Sequence, residues 1–260
     1  MHNAIYFISD VHLGMKHYKY GKEQENMLIG FFDKLIDEKA KELYIAGDFF
    51  DSWIEYRQVV PKGFYRVFSK LYDLVQANVK ITYLAGNHDF WRGSYLYDEF
   101  GIEMADTHIE KTIDGKRFYI HHGDGLAYRD TGYKIMKKIL RNRVSQFLYS
   151  LIHPDIGLWL AKSTSSKSRD YTSQKDYSVK DGLRDAAMQK IKEGFDFVIM
   201  GHRHKPLFLR EGKGVYINLG DWMKTFSYGV FSDGIFYFRK YYDLESHKIV
   251  DELIADTKAQ

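Results

Sequence analysis

The sequence predicts a mixed α/β protein with two sheets, and three features predict it. Short β-branched or aromatic runs alternate with helical patterns in the first third, an Asp-Gly pair at Asp114 and Gly115 separates two strand-like runs, and further short strands follow near the C-terminus. A β-α-β-α-β order requires a parallel sheet. The Asp-Gly pair is a hairpin signal.

The strand runs are "AIYFIS" (4–9), "ELYIA" (42–46), "VKITYLA" (79–85), "RFYIHH" (117–122) and "FDFVIM" (195–200). Between the first three lie two amphipathic helical patterns. Met27, Leu28, Phe31, Phe32, Leu35 and Ile36 share one face of the first, and Phe64, Val67, Phe68, Leu71 and Val75 share one face of the second. "GVYINLGDW", "TFSYGVFSD" and "GIFYFRK" read as later strands, whereas the charged closing stretch "DLESHKIVDELIADTKAQ" reads as a loose terminal helix.

At 260 residues, with 45% hydrophobic and 17% aromatic content, the chain can bury a sizeable core and reads as one domain carrying an insertion. Its three prolines and the lack of a Ser/Gly or Pro-rich tether argue against two linked domains. Zero cysteines exclude disulfides, thiolate metal sites and cysteine nucleophiles, and fit a reducing cytoplasm. No signal peptide and no run of about 18 apolar residues is present, so the protein is expected to be soluble or to lie on a membrane surface. The net charge of +3 is unevenly spread: residues 126–180 hold 11 Lys+Arg against 4 Asp+Glu, and the remainder holds 27 against 31. That basic segment is also rich in large apolar side chains. Nothing resembles a nucleic-acid-binding module.

Polar clusters follow the strands: Asp10 and His12 after the first, Asp48 and Asp51 after the second, Asn87, His88 and Asp89 after the third. His121, His122 and Asp124 follow the fourth, and His202 and His204 the fifth. Alone, each is ordinary turn chemistry. Together they fall at the C-terminal ends of strands, the edge where ligands bind in open α/β sheets. Carboxylate, imidazole and amide donors without sulfur suit Mn²⁺, Fe²⁺ or Zn²⁺. Alternate residues of an extended segment point the same way, so Asp10 with His12, and His202 with His204, can each present two ligands to one place. The donors are too many for one ion, which points to two metals bridged by one carboxylate.

The series Asp10-x-His12, Gly47-Asp48-x-x-Asp51, Gly86-Asn87-His88-Asp89, His122 and Gly201-His202-x-His204 resembles the calcineurin-like metallophosphoesterases. The resemblance implies a four-layer αββα sandwich. It implies one metal on Asp10, His12, Asp48 and His204, and another on Asp48, Asn87, His122 and His202, with Asp48 bridging. It implies that His88, held by Asp89, stabilises or protonates the leaving group. Strand alternation lets one of His121 and His122 face the metals, and the "HGD" match selects His122.

"SDVHLG", "GDFFDSW", "GNHDFW", "HPDIGLWLAKSTSSKSR" and "GHRHKP…NLGDW" further resemble the UDP-2,3-diacylglucosamine hydrolases of lipid A biosynthesis, over about residues 4–235. That branch implies pyrophosphate hydrolysis to UMP and 2,3-diacylglucosamine 1-phosphate, commonly with Mn²⁺, under a helical lid that holds the acyl chains. It implies a cytoplasmic protein peripheral to the inner membrane. The implied division is a core of 1–125 and 181–240, a lid insertion of 126–180 and a tail of 241–260. In the lid, Ile135, Met136, Ile139, Leu140, Phe147, Leu148, Leu151, Leu158 and Trp159 are candidate apolar walls, or they pack on one another. Lys134, Lys137, Lys138, Arg141 and Arg143 are the interleaved cations. The branch pattern implies substrate contacts at Asp130, Tyr133, Ser168, Arg169 and Lys175. Many members of the branch carry Arg where this chain has His88, so a phosphodiesterase acting on nucleotides or other soluble diesters is the alternative. A non-catalytic scaffold would show gaps among the ligands, and none is missing.

Overall fold

Strand alternation builds the layers. In β1 (Ile5–Ile8), Ile5 and Phe7 enter one apolar cluster while Tyr6 and Ile8 enter another. In β2 (Glu42–Ala46), Tyr44 and Ala46 join the first, and Leu43 and Ile45 the second. Both strands are therefore buried on both faces, as parallel strands with covered faces are. The computed structural model describes residues 3–15, 18–90, 93–126, 138, 142–174 and 181–258, without the side chains of 143 and 165–174.

The seven-stranded sheet has the order β12-β11-β10-β1-β2-β3-β4. Here β3 is Lys80–Leu84, β4 Glu103–Ala105, β10 Ser227–Ser232, β11 Ile235–Asp243 and β12 Lys248–Asp256. β1 to β4 are parallel and β10 to β12 antiparallel. The five-stranded sheet has the order β5-β6-β7-β9-β8, from β5 (His108–Ile113), β6 (Lys116–His121), β7 (Phe197–Met200), β8 (Leu207–Glu211) and β9 (Gly214–Asn218). β6, β7 and β9 run parallel, flanked by antiparallel β5 and β8. Both sheets are mixed, as expected, and the hairpin at Asp114 and Gly115 joins β5 to β6.

Helices cover the outer faces. α1 (Gly21–Asp37) and α2 (Tyr65–Gln76) set Leu28, Phe31, Phe32, Leu35, Val67 and Leu71 on the seven-stranded sheet, with α3 (Tyr95–Phe100) beside them. In the basic segment lie α4 (Arg143–Ser150) and α5 (Pro154–Gln174). α6 (Gly182–Lys192) places Leu183 and Ala187 on the outer face of the five-stranded sheet, against Val198, Met200 and Tyr216. Between the sheets, Phe7, Tyr44, Phe118, Phe197, Phe231 and Phe236 make a shared aromatic layer.

The closing stretch is not a helix. It is β12, paired antiparallel to β11, so the first sheet continues beyond residue 240. Asp243 makes the turn by accepting from the Ser246 amide at 3.0 Å, and Thr257 donates its amide to the Phe236 carbonyl at 3.0 Å.

An ion pair joins the two sheets. Glu42, 8% exposed, accepts from the Tyr44 hydroxyl and from Lys111 Nζ on β5, each at 2.7 Å. Burial pushes its carboxyl pKa up, but the Lys111 and Tyr44 hydrogen bonds outweigh that and leave it below the ordinary value. A depressed carboxylate contributes stability that is complete above its unfolded pKa and lost as pH falls through the folded one. Lys111→Met is therefore expected to cost about 1–3 kcal/mol at neutral pH, with the gap to the parent narrowing as pH drops below about 4. Denaturant unfolding across that range measures it, and a gap independent of pH would remove Glu42 from the explanation.

Candidate metal centre

The loops leaving the strands run together at one edge. The Asp10 amide donates to the Gly47 carbonyl at 3.0 Å and the His12 amide to the Asp48 carbonyl at 2.9 Å, extending the β1–β2 pairing past the strands. The two sheets are cross-linked there: the His202 amide donates to Asp10 Oδ2 at 2.8 Å, and His122 Nδ1 lies 2.9 Å from the Ala46 carbonyl. Such close approach needs glycine. A Cβ at Gly86 would lie 2.0 Å from Asp48 Oδ1, and one at Gly201 would lie 2.0 Å from Ser9 Oγ. Asp10, His12, Asp48, His202 and His204 all hold positive φ angles, from 51° to 66°. This conformation costs non-glycine residues roughly 1–3 kcal/mol each and persists where the surroundings enforce it.

Each of the two carboxylates is tied by one oxygen and aims the other inward. Asp10 Oδ2 accepts from Ser9 Oγ at 2.6 Å as well as from the His202 amide, while Asp48 Oδ1 accepts from the His88 amide at 2.8 Å. Asp10 Oδ1 and Asp48 Oδ2 are buried and receive no hydrogen bond among the described residues. Imidazole nitrogens face them instead. His204 Nε2 lies 3.1 Å and His12 Nε2 3.8 Å from Asp10 Oδ1; His122 Nε2 lies 3.1 Å, His12 Nε2 3.8 Å and His88 Nε2 4.0 Å from Asp48 Oδ2. His12 and His204 point their Nε2 atoms at each other across 3.2 Å, and His122 Nε2 is 3.1 Å from Asn87 Oδ1.

Among the described residues, three groups of donors come close enough to share a cation: Asp10, His12 and His204; His12, Asp48 and His88; Asp48, His122 and His202. Carboxylate oxygens and imidazole nitrogens converging this closely fit a bound cation, and the nitrogen and oxygen set suits a divalent one. Burial drives His12 and His202 down to about 3, the neutral form that ligates. Burial also lowers His122, but the Asp48 charge beside it wins and pushes it up to about 10. Burial raises Asp48, and His122 and His88 override it, holding the carboxyl well below the usual range.

All seven expected metal ligands, Asp10, His12, Asp48, Asn87, His122, His202 and His204, thus meet at one edge. Alternation separates the adjacent histidines: His121 Nδ1 turns back to accept from the Gly123 amide at 2.7 Å, while His122 faces Asp48. The expected pairing of His88 with Asp89 is corrected. Asp89 is fully buried, and its carboxylate accepts from the Gly86 amide at 2.8 Å, the Phe49 amide at 2.7 Å and the Tyr83 hydroxyl. What faces His88 Nδ1 is the Asp51 carbonyl, at 3.0 Å. Residue order had no access to Asn218, whose Nδ2 holds the Gly201 carbonyl at 2.6 Å; Ser9 was visible only as the neighbour of Asp10. Asp130, Tyr133 and Lys175 lie outside the described residues, and Ser168 and Arg169 fall in α5 with side chains outside them.

The sequence model of the calcineurin-like phosphoesterases matches residues 4–206. The chain belongs to that family. A calcineurin-like phosphoesterase with these Asp and His clusters has a centre for divalent metal ions. The chain is 36% identical to the UDP-2,3-diacylglucosamine hydrolase of Porphyromonas gingivalis, in a match covering 88% of this chain and 94% of that one. It is 31% identical to the protein of the same name from Proteus mirabilis, covering 77% and 81%. Among solved structures, the zinc complex of Vps29 from Entamoeba histolytica covers 96% of this chain and 98% of its own, with a TM-score of 0.50 and 11% identity, a likeness of fold.

Asp89→Asn places an NH₂ group among donors that need an acceptor, so it is expected to cost about 1–3 kcal/mol of stability. Thermal and denaturant unfolding check this; unchanged stability with lowered turnover would return the carboxylate to His88.

Proposed function

We propose that this phosphoesterase hydrolyses the pyrophosphate of UDP-2,3-diacylglucosamine, giving UMP and 2,3-diacylglucosamine 1-phosphate. The observation that carries the reading is the match to the Porphyromonas gingivalis hydrolase: at 88% of this chain it necessarily includes part of residues 126–180, while the family match over residues 4–206 spans the candidate metal centre. The proposed division is a metallophosphoesterase core interrupted by a helical lid at 126–180.

Asp10, His12, Asp48 and His204 would hold one ion and Asp48, Asn87, His122 and His202 the other, with Mn²⁺ the proposed metal for this sulfur-free set. When bound, the ions supply Lewis-acid polarisation of a phosphoryl oxygen and a more acidic water. The residues supply positioning. The Ala46 carbonyl fixes the His122 ring with Nε2 inward, and Ser9 and the His202 amide fix Asp10 with Oδ1 inward. His88, its ring set by the Asp51 carbonyl, presents Nε2 beside Asp48 and offsets charge on the departing phosphate. The proposed substrate contacts are Asp130, Tyr133, Ser168, Arg169 and Lys175.

The deciding assay is Mn²⁺-reconstituted hydrolysis of the lipid in mixed micelles, with products identified by mass spectrometry and bis(p-nitrophenyl) phosphate run in parallel. UMP and the lipid 1-phosphate are the expected products, at a rate far above the soluble diester; cleavage of the diester alone would move the substrate to that class. Asp48→Ala is expected to abolish turnover. His88→Ala is expected to lower it by about 10²-fold with metal content retained.

Among the described residues, no helix is long and apolar enough to cross a membrane. Phe147, Leu148 and Leu151 at α4, and Ile156 and Trp159 on α5, are all more than half exposed. With the basic charge of the segment, this supports contact with an anionic lipid surface at the cytoplasmic face of the inner membrane. Flotation with phosphatidylglycerol vesicles is expected, weakening in salt and absent with phosphatidylcholine. Equal flotation with both would remove the electrostatic part.

A further inference from the structure

Residues 51–56 touch both the reacting end of the site and the helical insert. At one end they hold His88: the Asp51 carbonyl faces Nδ1 at 3.0 Å, and the Trp53 amide donates to the His88 carbonyl at 3.3 Å. The Glu55 carboxylate accepts from the Gly93 and Tyr95 amides at 2.9 and 3.0 Å, gripping the chain beyond the same motif. At the other end sits Tyr56, and the insert rests on it. Gly157, near the start of α5, is buried, and a Cβ added there would lie 1.9 Å from the Tyr56 hydroxyl oxygen and 3.1 Å from Tyr149 Cε1. Tyr149 of α4 donates its hydroxyl to the Gly157 carbonyl at 2.6 Å, so both insert helices share this seat. The Tyr56 hydroxyl is buried and makes no hydrogen bond among the described residues. A buried hydroxyl without a partner is unfavourable, so packing and not a polar anchor keeps the ring against Gly157.

We infer that the 51–56 loop couples the seating of the insert to the orientation of the His88 imidazole, with Gly157 and Tyr56 as positioning residues for the reaction. A ligand gripped by the insert acts on α5, α5 bears on Tyr56, and the loop that carries Tyr56 holds the ring. In kinetic terms this rests on the hydrolase reading; in structural terms it does not.

Gly157→Ala overlaps one named atom. It is expected to lower kcat by about tenfold with KM changed by less than about twofold, since small misplacements of a catalytic group act on turnover. In a His88→Ala background the same substitution is expected to change kcat by less than about twofold, because the two act on one group. Tyr56→Phe added to Gly157→Ala removes the overlapping oxygen, leaves contacts no shorter than 3.1 Å and restores kcat. Tyr56→Phe alone is the reference for the cycle. Imidazole ¹H–¹⁵N spectra, with the His88 signals assigned from their loss in His88→Ala, give a readout that needs no substrate. Those signals are expected to move in Gly157→Ala and to return in the double variant. If Gly157→Ala does not fold, Tyr149→Phe deletes the bond to the Gly157 carbonyl and is read by the same spectra. Unmoved His88 signals, or a kcat loss that persists undiminished without His88, would overturn the coupling. Absence of lipid hydrolysis in the parent protein would instead count against the substrate, with the spectra still deciding this point.

Discussion

Two carboxylates buried where the sheets meet govern the centre. A buried carboxylate is tolerated only when hydrogen-bonded or paired, since leaving water unpaired costs it several kcal/mol. Asp10 and Asp48 meet that demand with one oxygen each, through the amides of His202 and His88, and leave the other to the imidazoles. The consequence reaches beyond the site. The amide that satisfies Asp10, on the first sheet, follows β7 of the second, so the sheets cannot slide without stranding a charge. The bond from His122 to the Ala46 carbonyl closes the same seam from the other side.

That seam explains the backbone. Five of the candidate ligands sit at positive φ, which no local preference of Asp or His would select over several positions at once. The strain persists because the strands on either side are anchored in apolar layers on both faces, and because Gly86 and Gly201 let neighbouring loops come within contact of Asp48, Ser9 and Asp10. Packing far from the centre therefore holds a backbone geometry that these Asp and His residues could not hold themselves.

The same logic separates what the sequence made legible from what it did not. Period-two burial and the 3.6 period survive any tertiary context, so β1, β2, β3, β6, β7, α1 and α2 were readable, and alternation showed that His121 and His122 point apart while the family motif said which one faces the centre. β12 was missed because Ile249, Leu253 and Ile254 recur at helical rather than alternating intervals and are exposed. The register shifts between Phe238 and Arg239 and between Lys240 and Tyr242 break the alternation that would have marked the strand. In the centre, donors were legible as clusters after strands, but partners were not. Adjacency of His88 and Asp89 suggested contact, whereas the turn sends Asp89 back to Gly86 and Phe49 and leaves the imidazole to a carbonyl, a group that every residue carries and no motif marks.

The insert presents the opposite problem from the core, and the contrast bears on its use. Core strands bury nearly every apolar side chain, whereas Phe147, Leu148, Ile156 and Trp159 of the insert helices remain more than half exposed. Large apolar side chains left exposed together on a surface mark an interaction site. The proposed substrate requires that division: its pyrophosphate needs donors and cations fixed to fractions of an ångström, which the strained seam would hold, and its acyl chains need apolar area without exact geometry. A mobile or variable apolar surface would serve the second need but degrade the first unless the two were joined at few points. Gly157 on Tyr56 is such a joint, where a missing methyl group lets the insert rest directly on the loop that holds His88.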